Sequence, residues 1–334
     1  MNRTETSLTE ELIQRCALKR NASIGPLSDA AYRELLLAVR SDPKTYAEET
    51  GELSFYYLAQ AVQLYVNAQN NDEAYNDEEF MATRTERIKK LWDSLASIRE
   101  KYGETTDLLR IKALLDGSDH EHTLQTLLHL QQGAREEIRA TDLLSRPDTS
   151  DMWGNVFARP YLRLHAAIAR EYLDTARFRL SQATCEQLLK DSPSDQVGAR
   201  LTLALVYARL EDEDALNRLD KTYNPHSNAW SELARAILLF KLSRLSSARR
   251  ALKSYQMNTE GGAFALLHPT FVDVYIPDRP KAAAGSFEEA LLAIHEAEPI
   301  IVDSPDFVGW AEQIPDFSAA SDSYAEANGF DLNE

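Results

Sequence analysis

The residues that could do chemistry fall into a few clusters. Asp119-His120-Glu121-His122, with His129 further on, has metal-binding types. His122 and His129 stand seven apart, close to two helical turns, whereas helical metal sites usually pair histidines three or four apart. The run fits a solvated helix N-terminus better, because carboxylates there meet the positive end of the helix dipole. Glu211-Asp212-Glu213-Asp214 reads the same way, as a polar turn opening a helix. The acidic stretch Asn71 to Glu79 lacks the Gly and terminal Glu spacing of a calcium loop. No GxSxG, P-loop or GxGxxG pattern occurs, and neither Cys16 nor Cys185 has a His at a recognisable family spacing. No catalytic residue, metal ligand or cofactor is therefore assigned.

The elements that would position these residues are helices. The chain has 334 residues, 44% of them hydrophobic, with only 12 Gly and 12 Pro, and Leu, Ala, Glu and Arg predominate. No apolar run reaches the roughly 18 residues of a membrane helix. The polar start MNRTETSLTEELIQ does not read as a secretory signal. Two distant cysteines read as reduced core thiols, so the expectation is a cytoplasmic protein without a membrane role.

Charge is unevenly spread within a net of −17. Residues 1–158 hold 18 Lys/Arg against 27 Asp/Glu, 159–281 hold 18 against 14, and 282–334 hold none against 12. The mildly basic centre does not make the patch that nucleic acid demands.

Amphipathic patterning gives an N-terminal helical region, 1–117. Its stripes are Leu12, Ile13, Cys16 and Ala17, then Leu35, Leu36 and Val39 behind a Ser28 cap and closed by Asp42-Pro43. An aromatic-rich helix follows over Leu53 to Ala68, then one over 78–101 ended by Gly103, and two over about 105–115 and 121–139 separated by Gly117. Residues 141–158 read as irregular, anchored by Trp153 and Phe157.

Residues 118–312 read as a repeat domain, clearest over 159–257. Tyr172, Tyr207 and Phe240 recur 35 and 33 residues apart, each near the end of an apolar helix. Ala215 and Ala248 follow the second and third by eight, Leu219 and Leu252 by twelve, and Pro193 and Pro225 fall where a second helix should end. An aromatic filling the space inside a helical hairpin, and a small residue letting its helices approach, make each unit dependent on the next.

At these residues the chain resembles the tetratricopeptide repeat superfamily. The unit AREYLDTARFRLSQATCEQLLKDSPSD departs from its pattern at Ser181, where Ala is preferred, and at Ala176, where the turn usually carries Gly. From about 111 to 312 the chain is similar to bacterial relatives of the suppressor of tumorigenicity 7 family, through IKALLDGSDHEHTLQTLLHLQQGAREEI, FARPYLRLHAAIA, DSPSDQVGARLTLALVYARLEDEDAL and GSFEEALLAIHEAEPI. The resemblance implies an all-α fold, a right-handed superhelix of helical hairpins, and a scaffold or adaptor role without catalysis; the N-terminal helical extension packed on it is expected from patterning alone. In such an architecture Arg163, Arg170, Arg209, Arg235 and Lys241 either line a cationic groove for an acidic protein segment or peptide or are ordinary surface charge. The clamp that grips a C-terminal carboxylate would need Lys and Asn where Ala166, Leu201 and Leu205 stand.

The tail, 313–334, mixes acids with Phe317, Tyr324 and Phe330. It reads as a disordered solubilising end, or as a segment that docks on the central repeats and competes with a partner. Two other functions compete with the adaptor: a metal-assisted enzyme using His120 and His122 in a cleft between the N-terminal helices and the repeats, and a peptide-sensing regulator. The partner itself stays unidentified.

Overall fold

The structure, a computed structural model, describes residues 7–69, 77–117, 119–141, 150–223 and 228–330. The expectations that fall on Pro225, Asp331 and most of Asn71 to Glu79 lie outside these residues. Every regular element among the described residues is helical, and no helix is long and apolar enough to cross a membrane. The chain forms two compact units, one of residues 1–167 with 274–279, the other of 168–273 with 280–334.

The first unit contains α1 (Ser7–Ile24), α2 (Asp29–Ser41), the short α3 (Pro43–Tyr46), α4 (Thr50–Gln69), α5 (Asp77–Tyr102), α6 (Thr106–Asp116), α7 (His120–Thr141) and the first half of α8 (Arg159–Asp174). Local chemistry sets their ends. The Ser28 side chain accepts from the Ala31 N–H, and Gly103 and Gly117 stop α5 and α6 at φ 84° and 59°. Asp119 caps α7 by accepting the His122 N–H at 2.7 Å, so the acidic-histidine run does begin a helix. The core collects Leu8, Leu12, Ile13 and Cys16 of α1, Phe55, Leu58 and Val62 of α4, Leu91 and Leu95 of α5, and Leu108 and Ile111 of α6. Val274 and Ile276 join it from more than a hundred residues downstream. Burial, and then the Glu52 carboxylate, push the Cys16 thiol up to about 12, which keeps it protonated and inert.

The expected boundary at 117/118 is corrected. α6 packs on α7, and the units divide inside α8, between Ala167 and Ile168. A polar loop around Gly117 resembles a linker in sequence but only joins two packed helices.

The second unit continues α8 and adds α9 (Phe178–Asp191), α10 (Ala199–Arg209), α11 (Glu213–Tyr223), α12 (Ala229–Lys241), α13 (Leu245–Asn258), α14 (Gly262–Leu267), α15 (Phe287–Val302), α16 (Asp306–Glu312) and α17 (Pro315–Asn328). Ser181 of α9 donates to the Ala169 carbonyl of α8 at 2.7 Å. Helix α10 packs on α9, α11 and α12, and α12 on α13.

The turns α8–α9, α10–α11 and α12–α13 share one construction. Ala176, Glu211 and Ser243 are left-handed at φ 59°, 61° and 57°. The next N–H, on Arg177, Asp212 and Arg244, donates back to the carbonyl of Tyr172, Tyr207 and Leu239 at 2.7, 3.0 and 2.9 Å. The left-handed residue's own N–H reaches Leu173, Ala208 and Phe240. This is the Schellman arrangement, three times over.

The turns stand 35 and 32 residues apart, which corrects the aromatic register. Leu239, not Phe240, is the counterpart of Tyr172 and Tyr207. Phe240 lies one position further on and packs its ring against Phe307 and Trp310, with centroids 5.4 and 5.1 Å away. On the second helices the equivalent buried residues are Ser181, Leu216 and Ala248, so Ala215 is one position off the small-residue site.

Of the two readings of the tail, disorder does not hold for its described residues. Residues 315–328 are helical, with Phe317, Ser321 and Ala325 buried at a four-residue spacing. That stripe packs α17 on α13 and α14.

Candidate functional site

The five cations expected to line one groove do not share a surface. Arg163 belongs to the first unit and is only 2% exposed. Its guanidinium donates to Glu11 at 2.7 and 3.1 Å and to Asp107 through Nε at 3.0 Å and through Nη2. Arg110 adds two hydrogen bonds to Asp107 at 3.1 and 3.0 Å, and Arg15 two to Glu11 at 3.0 and 2.8 Å. Asp278, from the returning segment, lies 3.7 and 3.8 Å from Arg110 and Arg163 and accepts from the Ser7 hydroxyl.

Three guanidiniums thus meet three carboxylates inside the first unit. Burial alone would lower the Arg163 pKa, but Asp107, Glu11 and Asp278 outweigh it and hold the pKa well above the ordinary value. Asp107 shows the converse: burial raises it, and Arg163 and Arg110 pull it far below the usual carboxylate range. Such a cluster holds α1, α6, α8 and residue 278 together; Arg163 is not offered to a partner.

The other four cations lie in the second unit, and three of them meet α15 or its C-cap residue Asp303. Arg170 donates to Asp174 at 2.9 Å and to the His295 carbonyl at 3.4 Å, and lies 3.6 Å from Glu296. Arg209 pairs with Asp303 at 2.7 Å while stacked over Phe178 at 4.6 Å. Lys241 donates to the Arg209 carbonyl at 3.2 Å and sits 3.7 Å from both Asp303 and Glu211. Arg235 turns instead to α11, donating to Asn217 at 2.9 Å and Asp220 at 2.5 Å.

Helix α15 therefore lies along the first helices of the hairpins. It packs on α10 and α12 and buries Ala290, Ala293, Ala297 and Ile300. Glu296, fully buried, also accepts from the Trp230 indole N–H at 3.1 Å. Glu296 and Asp303 are seven residues apart, two turns along one face, which is why they meet cations from successive hairpins. His295 is depressed, first by burial and then by Arg170. The acidic ligand that Arg170, Arg209 and Lys241 were expected to recruit is a segment of the same chain.

Sequence reasoning looked for self-docking in 313–334 and overlooked 287–303. The signal was present: acids without a Lys or Arg across 282–334, and a seven-residue spacing within a helical run. The tail docks elsewhere, through its apolar stripe. His122 lies 3.5 Å from Asp116 at the start of α7, and the turn Glu211 to Asp214 opens α11, where Asp212 accepts the Ala215 N–H at 2.9 Å. Both acidic clusters cap helices.

No family model, curated protein or solved structure matches this chain.

Proposed function

We propose that the chain is a cytoplasmic, tetratricopeptide-like adaptor, a right-handed superhelix of helical hairpins that binds another protein and does not catalyse a reaction. The observation that carries this reading is the threefold recurrence of one left-handed hairpin turn, at Ala176, Glu211 and Ser243, with the same pair of backbone hydrogen bonds. Stacked hairpins of this kind bury a continuous core and leave long outer surfaces, which suits recognition of other chains. Buried Cys16 and Cys185, far apart in sequence, fit a reducing compartment.

The face of α10 and α12 is filled by α15, so an external acidic segment would have to compete with Glu296 and Asp303. Partner recognition is accordingly assigned to the outer surface, and residues 282–334 carry acids without a Lys or Arg in sequence.

The test is purification of the tagged full chain from its native cells at low salt, followed by rebinding of any stoichiometric protein to the pure chain in a calorimeter. The expected result is saturable binding of one such protein, weakened by salt. A chain that purifies alone, or whose companions fail to rebind, counts against the adaptor reading.

A further inference from the structure

The second unit holds an open cleft of about 380 Å³ where the end of α13 and the start of α14 face α17. Met257, Asn258, Glu260, Gly261, Gly285 and Tyr324 line it.

Its floor is closely built. Gly261 has φ 60°, and a Cβ there would stand 2.6 Å from the Phe287 ring and 2.7 Å from that of Tyr324. Gly285 has φ 74°, and a Cβ would stand 2.7 Å from the Asn258 carbonyl. Only glycine admits these approaches. Glu260 N–H donates to the Gly285 carbonyl at 2.8 Å, and Gly285 N–H to the Glu289 carboxylate at 2.8 Å. The backbone of the cleft is therefore held from both sides.

One aromatic ring, that of Tyr324, lines it, and three further rings back that one. Tyr324 packs against Phe287 at 5.0 Å and Phe264 at 5.7 Å, and Phe330 stacks on Phe264 at 4.8 Å. Its charge is negative through Glu260, which lines it, and Glu288, which acts on the same Tyr324; both are exposed and neither forms an ion pair among the described residues. The Tyr324 hydroxyl registers this environment: burial raises its pKa, and Glu260 and Glu288 raise it further. Met257, 72% exposed, offers an apolar shelf beside the opening.

An aromatic face, unpaired carboxylates and a thioether shelf match one kind of group. A planar guanidinium stacks on an aromatic ring, donates to carboxylates, and carries an apolar stem. We propose that this cleft takes an arginine side chain from a basic segment of the partner protein. The inference rests on the adaptor reading and gives the partner a chemistry. It also reverses the sign expected from the central cations, because acids of the same chain already pair with those.

The experiment is amide NMR of the full chain titrated with N-acetyl-arginine methylamide. The citrulline analogue, equal in shape but uncharged, and free L-arginine serve as the other probes. The arginine probe should shift the Gly261, Gly262 and Gly285 amides saturably, and the citrulline analogue should not. Glu260→Gln with Glu288→Gln, two exposed changes that leave the packing intact, should weaken the arginine probe by about 3- to 10-fold, as two exposed ion pairs warrant. Tyr324→Leu should weaken it as well, and a thermal melt checks that this variant folds.

Linear, unsaturated shifts overturn the proposal, as do equal responses to citrulline or undiminished binding to the double variant. Tighter binding of free L-arginine than of the blocked residue overturns the assignment to a protein segment. Silent glycine amides in a chain that still rebinds its partner discard the cleft and spare the adaptor. A responsive cleft in a chain that rebinds no protein does the reverse.

Discussion

Replacing Asp107 by Asn removes one charge from the buried network and changes almost nothing else. Asp107 is 1% exposed and accepts hydrogen bonds from Arg163 and Arg110, two from each. Asparagine keeps the volume but turns one oxygen into a donor that faces guanidinium N–H groups. Two buried cations are then left with too little negative charge. Breaking a buried pair in this way costs about 3–5 kcal/mol, most of it the uncompensated charge left behind. For a unit of this size about 1 kcal/mol moves Tm by roughly 2–4 °C, so the first unit should melt about 10 °C lower.

The pH dependence gives a second check on the same variant. Arg163 and Arg110 depress the carboxyl in the folded chain against the opposing effect of burial. Its stabilisation is therefore complete above the unfolded value of about 3.9 and disappears as pH falls further. The gap between wild type and Asp107→Asn, measured by circular-dichroism melting, should be full at neutral pH and should close in strong acid. Asp107→Leu combined with Arg163→Met should recover part of the loss, because it leaves fewer buried charges without a partner. A single variant melting within about 2 °C of wild type at neutral pH would refute the reasoning. So would a gap that persists unchanged in strong acid.

The remaining predictions concern packing, backbone and titration. Tyr207→Ala, which removes a buried ring and its 3.0 Å hydrogen bond to Glu186, should cost about 3–5 kcal/mol in chemical denaturation. Ala248→Leu, at a fully buried site between paired helices, should cost about 1–3 kcal/mol by overpacking; near-native values for both would show that the hairpins do not stack as described. Ala176→Gly, at φ 59°, should raise stability by about 0.5–1 kcal/mol, the left-handed strain relieved less the entropy added to the unfolded chain. His165 is held neutral in the fold, pushed down to about 4 first by burial and then by Arg135. The unfolded chain takes up that proton earlier, so stability falls as pH drops from about 6.5 toward about 4, and His165→Leu should flatten this part of the Tm profile.

Most of the helices were legible in the sequence because their signals are local. A Ser28 cap, a left-handed Gly103 or Gly117 and an apolar stripe three and four residues apart are written within a single turn or two, and the structure places each where the pattern did. The segregation of charge, with no Lys or Arg after Lys281, was equally plain. Tertiary structure alone decided where those charges went. Arg163 meets Glu11 across 152 residues and Asp107 across 56, and Arg209 meets Asp303, the C-cap of a helix in another segment. Whether a cation is exposed or already neutralised depends on partners that no local period reveals. The same holds for Phe240, one residue out of register with the turn that defines its hairpin, and for α17, whose small buried stripe of Phe317, Ser321 and Ala325 becomes a helix surface only once α14 covers it. Local periodicity encodes the helices; the long-range pairing of charges and faces sets which surfaces are left for a partner.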